Sequence, residues 1–398
     1  MELSNTTHVA SNLTFSIGVS ADVMALQQNV RMMNLYLKPV VISIGLASNL
    51  CAALVISTVA MRKAACSVYF LAILIANEFF LLIFMHEWLT QQVGVSLYGL
   101  VGGWCQFATF TGKSADFLSV WYPVCLILDR CIYSIRPEIY AEICSTWKAR
   151  MLVILLCIIS IMIFLNTSLT FGVFYTPSPL PQMPYCSPLT IFERTTTILS
   201  HADVIVNGVL GYGTIIALLI RILVEKTRLF RANFEVWFRQ RQLPEFATSD
   251  GIPETQDSQP QMEESMTKGQ TVAALTYIIL FLLCNLPLQG FRTKNMILAV
   301  AQSSHMHNVS SYLIKEILVV LKLVSFSSLL FVLLVVHSGF RHHLAGMLRD
   351  LCCRCVQMQV DTPDIEMNND GGYECRLSKS SIEESSTVEF VSHESAYV

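Results

Sequence analysis

The sequence predicts an all-α membrane protein: a bundle of seven transmembrane helices followed by a short amphipathic eighth. Three observations carry that expectation. Of the 398 residues, 53% are hydrophobic and only 14% charged, where a soluble domain carries about 25% charged residues. Seven apolar runs approach the roughly 20 residues needed to cross a hydrocarbon layer of about 30 Å; they cover residues 36–60, 67–89, 104–128, 150–172, 196–224, 270–292 and 311–336. Lys and Arg gather at alternate ends of these runs, and that asymmetry orients a membrane bundle. The formal net charge of -3 gives no reason to expect a nucleic-acid partner.

Taken in order, residues 1–34 read as an extracellular segment. They lack the basic patch and apolar core of a cleavable leader, and they carry glycosylation sequons at Asn5 and Asn12. The bundle then occupies residues 35–337. Arg62 and Lys63 follow the first run, Arg130, Arg136, Lys148 and Arg150 the third, Arg221, Lys226, Arg228, Arg231, Arg239 and Arg241 the fifth, and Arg341, Arg349 and Arg354 the seventh. Those ends read as cytoplasmic. The opposite loops hold no Lys or Arg between Leu89 and Gly112 and only Arg194 between Thr176 and Thr195. An odd number of spans with a cytoplasmic tail puts the N-terminus outside, in the plasma membrane. A third outward sequon at Asn308 agrees, because the acceptor enzyme works on lumenal chain; a fourth, at Asn166, falls inside an apolar run.

Of 13 cysteines, this topology leaves Cys105 and Cys186 facing the oxidising side, where they either pair or stay as two free thiols; pairing is the expectation. A bridge would pin the loop from Tyr175 to Leu189 across the bundle mouth. Cys51, Cys125, Cys157 and Cys284 read as small buried residues. The third run ends in Asp129-Arg130, with Pro137 seven residues on. An acid and base placed where chain leaves lipid are hydrated on one side, whereas each would cost several kcal/mol at the bilayer centre.

The connection at about 225–268 divides in two. Its first half mixes cations with Leu229, Phe230, Phe234, Trp237 and Phe238 and reads as a helical extension at the lipid surface; residues 244–265 are polar and Pro-containing, hence a disordered linker. Residues 338–355 carry Phe340, Leu344, Met347, Leu348 and Leu351 near helical spacing, which reads as a membrane-parallel helix. Its Cys352, Cys353 and Cys355 are palmitoylation candidates, with plain thiols as the alternative. The acidic, Ser-rich tail at 356–398 offers Ser378, Ser380, Ser381, Ser385, Ser386 and Thr387 to kinases. No H-E-x-x-H, G-x-S-x-G or metal-spaced His cluster is present, so neither an enzyme nor a bound metal or cofactor is expected.

Seven helices, an outer bridge to the third helix, Asp-Arg at its inner end and a short parallel helix together resemble the rhodopsin-like G-protein-coupled receptors over about residues 35–355. Asn49 is similar to the family's first-helix asparagine, and Ser67-Val68-Tyr69 to the opening of its second helix. Asp129, Arg130 and Pro137 are similar to the D-R-Y-x5-P segment, and Phe281, Cys284 and Pro287 to the sixth-helix F-x-x-C-W-x-P motif. The departures are specific. Cys131 replaces the tyrosine, Asn77 the second-helix aspartate and Asn285 the sixth-helix tryptophan. Leu329 to Leu333 stand where the family has N-P-x-x-Y, no tryptophan marks the fourth helix and no proline the fifth. The residues that build the family's internal sodium site and the inward swing of its seventh helix are therefore missing.

The resemblance implies an extracellular ligand, a heterotrimeric G protein, and arrestin and receptor kinases acting on the tail. It implies that the acid restrains Arg130 at rest, that outward motion of the sixth helix about Pro287 frees it, and that Lys268, where some relatives carry a second restraining acid, leaves basal activity high. Gly112 replaces the aspartate of amine receptors. Lys113, Asp116 and Lys322 are intramembrane charges, functional by default, although Lys113 and Asp116 also suit each other as a structural pair. His86 and Glu87 suit a basic or amidated peptide, or simply a solvated loop edge; His201 and Asp203 add polar groups, as does Glu78. By analogy with the family, a neuropeptide is the expected ligand. A chemosensory or orphan receptor is the alternative, and a polytopic channel or transporter the non-receptor one.

Overall fold

The computed structural model describes residues 21–58, 61, 64–98, 100–175, 184–242, 258–300 and 309–360. The sequons at Asn5, Asn12 and Asn308, Arg62, Lys63 and the tail serines lie outside them, as do the side chains of Cys352, Cys353 and Cys355. The chain divides into two compact units, Met1–His342 and His343–Val398.

Six helices are long and apolar enough to span a membrane: α1 (Gln27–Ile56), α2 (Ala65–Val93), α3 (Trp104–Ile135), α4 (Thr146–Thr170), α5 (Thr190–Arg231) and α6 (Lys268–Leu298). A pair bent by 48°, α7 (Ser311–Ser327) and α8 (Leu329–Val336), makes up a seventh if the two count as one span. The last helix, α9, runs Ser338–Val360 and straddles the division between the units. Residues 21–34 are helical, so the first helix starts well before its apolar run. Beyond the spans, helix continues from α5 to Gln242 and reaches back from α6 to Ser258. The second of these extensions makes residues 258–265 helical where a disordered linker was expected at 244–265, the rest of which lies outside the described residues; its Pro260 sits in the first turn, where a missing N–H breaks no helical hydrogen bond.

The helices differ in what surrounds them, and the sequence explains how. In α4 only Ala149, Leu156, Ser160, Phe164, Thr167 and Thr170 are buried. Its Met151, Ile154, Leu155, Ile158 and Met162 point outward, the apolar exterior that a lipid-facing helix requires. Of the apolar window of α3, 61% is buried, against 22% for α4; α3 is the axle of the bundle, packed against α2, α4, α5 and α6. A hairpin of β1 (Phe171–Tyr175) and β2 (Pro184–Pro188) pairs Val173 with Cys186. It delivers Cys186 to the start of α3, where the Cys105–Cys186 disulfide spans a Cα–Cα distance of 5.4 Å.

Two irregularities stand where helix-breaking prolines were missed. In α5, Val204–Gly211 is π-helical, and a Cβ added to Gly211 would come within 2.7 Å of the Val120 side chain; only glycine lets the widened turn lie this close to α3. Between α7 and α8 the bend falls at Ser325–Ser328. Ser327 and Ser328 turn their hydroxyls back on the carbonyls of Leu323 (2.9 Å) and Ser325 (2.7 Å), and serine back-bonding of this kind bends helices.

Candidate functional site

The first-helix asparagine and the two that depart from the expected motifs lie deep in the bundle: Asn49 is 1% exposed, Asn77 and Asn285 0%. Two of them attend the bend. The carbonyl of Phe326 accepts from Asn77 Nδ2 at 3.4 Å, and that of Ser327 accepts from Ser48 Oγ at 3.2 Å. Asn285 Nδ2 donates to Ser325 Oγ at 2.7 Å and to its own helix at the Phe281 carbonyl, 2.9 Å. Carboxamides thus anchor a serine-made bend, work that an aspartate or indole would not do in the same way. Phe281 is fully buried and stacks on Tyr212 at 5.6 Å, while Pro287 lies on the exposed face of α6.

At one end of α3, Arg130 is 1% and Asp129 3% exposed. Arg130 Nε donates to Asp129 Oδ2 at 2.8 Å, and Nη2 donates to the same oxygen. Nη2 also donates to Tyr140 Oη at 2.6 Å, and Tyr140 in turn donates to the Asp129 carboxylate at 3.3 Å. Tyr140 comes from the short helix Pro137–Ile143, which Pro137 starts at a position suited to its fixed φ. The rings of Tyr133 and Tyr140 sit 5.4 and 5.5 Å from the guanidinium carbon, within cation–π range. The remaining arm, Nη1, donates to Thr271 Oγ1 on α6 at 3.2 Å. A hydroxyl one turn beyond Lys268 thus gives Arg130 a contact to the sixth helix that the sequence had not suggested. Outside the spans, burial pushes the Cys144 thiol up to about 11, with the Asp129 charge and a hydrogen bond to it acting in the same direction. Burial likewise raises the Tyr140 phenol, against the opposing pull of Arg130.

Toward the disulfide end lies a second charged centre. Asp116 pairs with Lys322 of α7 through Oδ1 and faces Arg292 of α6 at 3.6 Å through Oδ2. Lys113 turns away to Asp203 of α5 at 3.7 Å, so the Lys113–Asp116 pair considered from sequence does not form: each side chain reaches a different helix. Asp203 accepts from Asn207 Nδ2 at 2.6 Å, whose Oδ1 accepts from Trp121 Nε1 at 3.1 Å. Lys322 also lies over Phe80 at 4.7 Å and Phe326 at 5.4 Å. One centre therefore ties α3, α5, α6 and α7 together.

The other candidates are placed elsewhere. His86 Nε2 accepts from Trp104 Nε1 at 3.1 Å and from the Leu97 amide at 3.4 Å, which ties α2 to the loop after it and to the start of α3, with Nδ1 left unpartnered. Glu87 is half-buried with the charge of Lys38 acting on it. Glu78 is half-buried with one carboxylate oxygen unpartnered. The His201 side chain makes no hydrogen bond or ion pair among the described residues. An open cleft of about 500 Å³ between α5 and α6, lined by Gly208, Gln289, Thr293 and Lys294, is separate from the charged centre.

Sequence reasoning missed Arg292 and the buried pair Lys38–Glu316, 2.5 Å across α1 and α7. Arg292 and Glu316 lie inside apolar runs, so the rule that intramembrane charges are functional or paired would have found them. Tyr140 and Thr271 had no such signal. No family model matches the chain, and no curated protein compared with it does either.

Proposed function

We propose that the chain is a cell-surface receptor of the G-protein-coupled kind. In this reading seven spans hold the N-terminus outside, and α9 lies along the inner membrane face. Ligand binding among α3, α5, α6 and α7 is transmitted to a heterotrimeric G protein, and the tail serves kinases and arrestin. The observation that carries the reading is the composition of α3. A single helix bears the disulfide at its start, charges that reach three other helices in its upper half, and at its far end an arginine hydrogen-bonded to α6. A ligand that shifts α6 relative to α3 changes both centres at once, and a two-state bundle needs that coupling.

The closed state is held by Arg130 against Asp129, Tyr140 and Thr271; opening exchanges the Thr271 contact for the partner. The test is basal signalling in cells carrying G-protein dissociation sensors. Thr271→Val raises the signal and Arg130→Ala removes it while surface expression is retained. A signal indistinguishable from untransfected cells for the parent chain and Thr271→Val alike overturns the proposal. The expected ligand is a peptide, by analogy with the family; a chemosensory ligand would use the same switch.

A further inference from the structure

We infer that the charged centre on α3 is a receptor site for a carboxylate, held by Arg292 and Lys113. The inference rests on the receptor reading for its purpose, not for its chemistry. The charges of Lys322, Arg292 and Lys113 all act on Asp116, and those of Asp116 and Asp203 act on both Arg292 and Lys322. Three cations thus share two carboxylates, which leaves one surplus positive charge inside an apolar bundle. A surplus charge in such surroundings is costly unless an anion joins it.

The geometry locates the surplus. Lys322, 3% exposed, is fully engaged with Asp116 and two rings. Arg292 meets Asp116 only at 3.6 Å and Lys113 meets Asp203 only at 3.7 Å. Both distances are those of charge attraction without a hydrogen bond. The two cations retain donors to spare and are reachable, with side chains 35% and 18% exposed. The Arg292 guanidinium offers the planar fork that a carboxylate fills in bidentate fashion. Asp203 is shared with Asn207 through Oδ1 and Asp116 with Lys322 through Oδ1, so each acid already serves another partner besides the cation it faces. A cationic ligand would add to the surplus instead of cancelling it, so the basic peptide suggested by His86 and Glu87 does not suit this centre. Such a carboxylate comes either from a fatty-acid-like molecule or from the free C-terminus of a peptide.

The purified full-length chain in lipid nanodiscs is heated with 20 mM hexanoate or N-acetylphenylalanine, each against its own primary amide. The acids are expected to raise the melting midpoint by at least about 2 °C and the amides to leave it unchanged. The acid with the larger effect identifies the source, acyl chain or peptide terminus. Arg292→Gln abolishes the shift, Arg292→Lys keeps part of it, and Asp203→Asn, which frees Lys113, tightens binding about tenfold. Should Arg292→Gln fail to fold, Lys113→Gln carries the same expectation. Acids and amides that act alike, no shift with either acid, or a shift that survives loss of the Arg292 charge overturns the inference. The assay contains no G protein, so its failure leaves the signalling tests on Arg130 and Thr271 standing, and their failure leaves this one standing.

Discussion

The two charged centres of α3 are built from the same residue types and behave oppositely. Asp129 and Arg130 are adjacent, neutral as a pair, closed by two direct hydrogen bonds and capped by Tyr140, with both side chains nearly sealed. Fourteen residues away, about 21 Å along the helix, Asp116 is outnumbered by cations, two of which stand off beyond hydrogen-bonding distance from the acids they face. A satisfied pair resists change, whereas an over-supplied centre accepts a further anion. Under the proposed receptor reading, the difference suits one centre to holding a state and the other to receiving what changes it.

The comparison is broken most severely at the sealed centre. Asp129→Asn leaves the Arg130 guanidinium buried without its counter-charge, and removing one partner of a buried pair costs about 3–5 kcal/mol. Thermal melting of the purified chain should register that loss as a large fall in midpoint, and a fall no greater than that of a surface substitution would contradict the assignment. Next comes Thr271→Val, which deletes the hydrogen bond that α6 makes to the Arg130 guanidinium of α3. Such bonds contribute about 1.5–3 kcal/mol, so the open-to-closed ratio should rise by about tenfold or more while the midpoint falls less than in Asp129→Asn. At the open centre, Lys113→Gln removes a part-exposed charge standing 3.7 Å from its acid. Contacts of that kind contribute up to about 1 kcal/mol, so its melting curve should nearly superpose on the parent's. A midpoint fall as large as that of Asp129→Asn would erase the contrast between the centres.

How much of this was legible beforehand follows from what each feature depends on. The spans were legible because crossing lipid demands about 20 apolar residues wherever they occur, and the pairing of Cys105 with Cys186 because only two cysteines fell between the right runs. Asp129-Arg130 could be read as a boundary pair from adjacency alone. Its further partners could not: Tyr140 arrives through a loop helix and Thr271 from 141 positions away, and no local pattern encodes either distance. The missing prolines misled in an informative way. Their absence from α5 and α7 removed the usual irregularity signals, yet an eight-residue π segment and a bend at four clustered residues, Ser325 to Ser328, stand there. The glycine at 211 and the serines were visible, but glycine and serine also occur in straight membrane helices, so only the packing reveals their work. Lys113 and Asp116 show the same limit: spacing of three on a helix permits a pair, and partners on α5, α6 and α7 won because they satisfy each charge from another helix.

The smallest expected effect on stability, none at neutral pH, belongs to a test of the surroundings of Asp129. Burial and the neighbouring Asp129 carboxylate raise the Cys144 thiol to about 11 from an ordinary 9.0, so its folded state favours the protonated form. The stabilisation linked to that proton is complete below the unfolded value and is lost as pH rises through about 11, leaving neutral-pH stability untouched. Reactivity is not untouched, because the thiolate is the nucleophile. At pH 8 a shift of this size lowers the thiolate fraction about a hundredfold, and alkylation of Cys144, followed by peptide mass spectrometry with Cys144→Ala as the assignment control, should be slower than that of an unstructured peptide thiol by that order. Opening the sealed end by Thr271→Val should recover part of the rate as water reaches Asp129. Equal rates in the parent chain and the peptide would mean that the Arg130 centre is as accessible as the Asp116 centre, and the distinction between a held state and a receiving site would lose its physical basis.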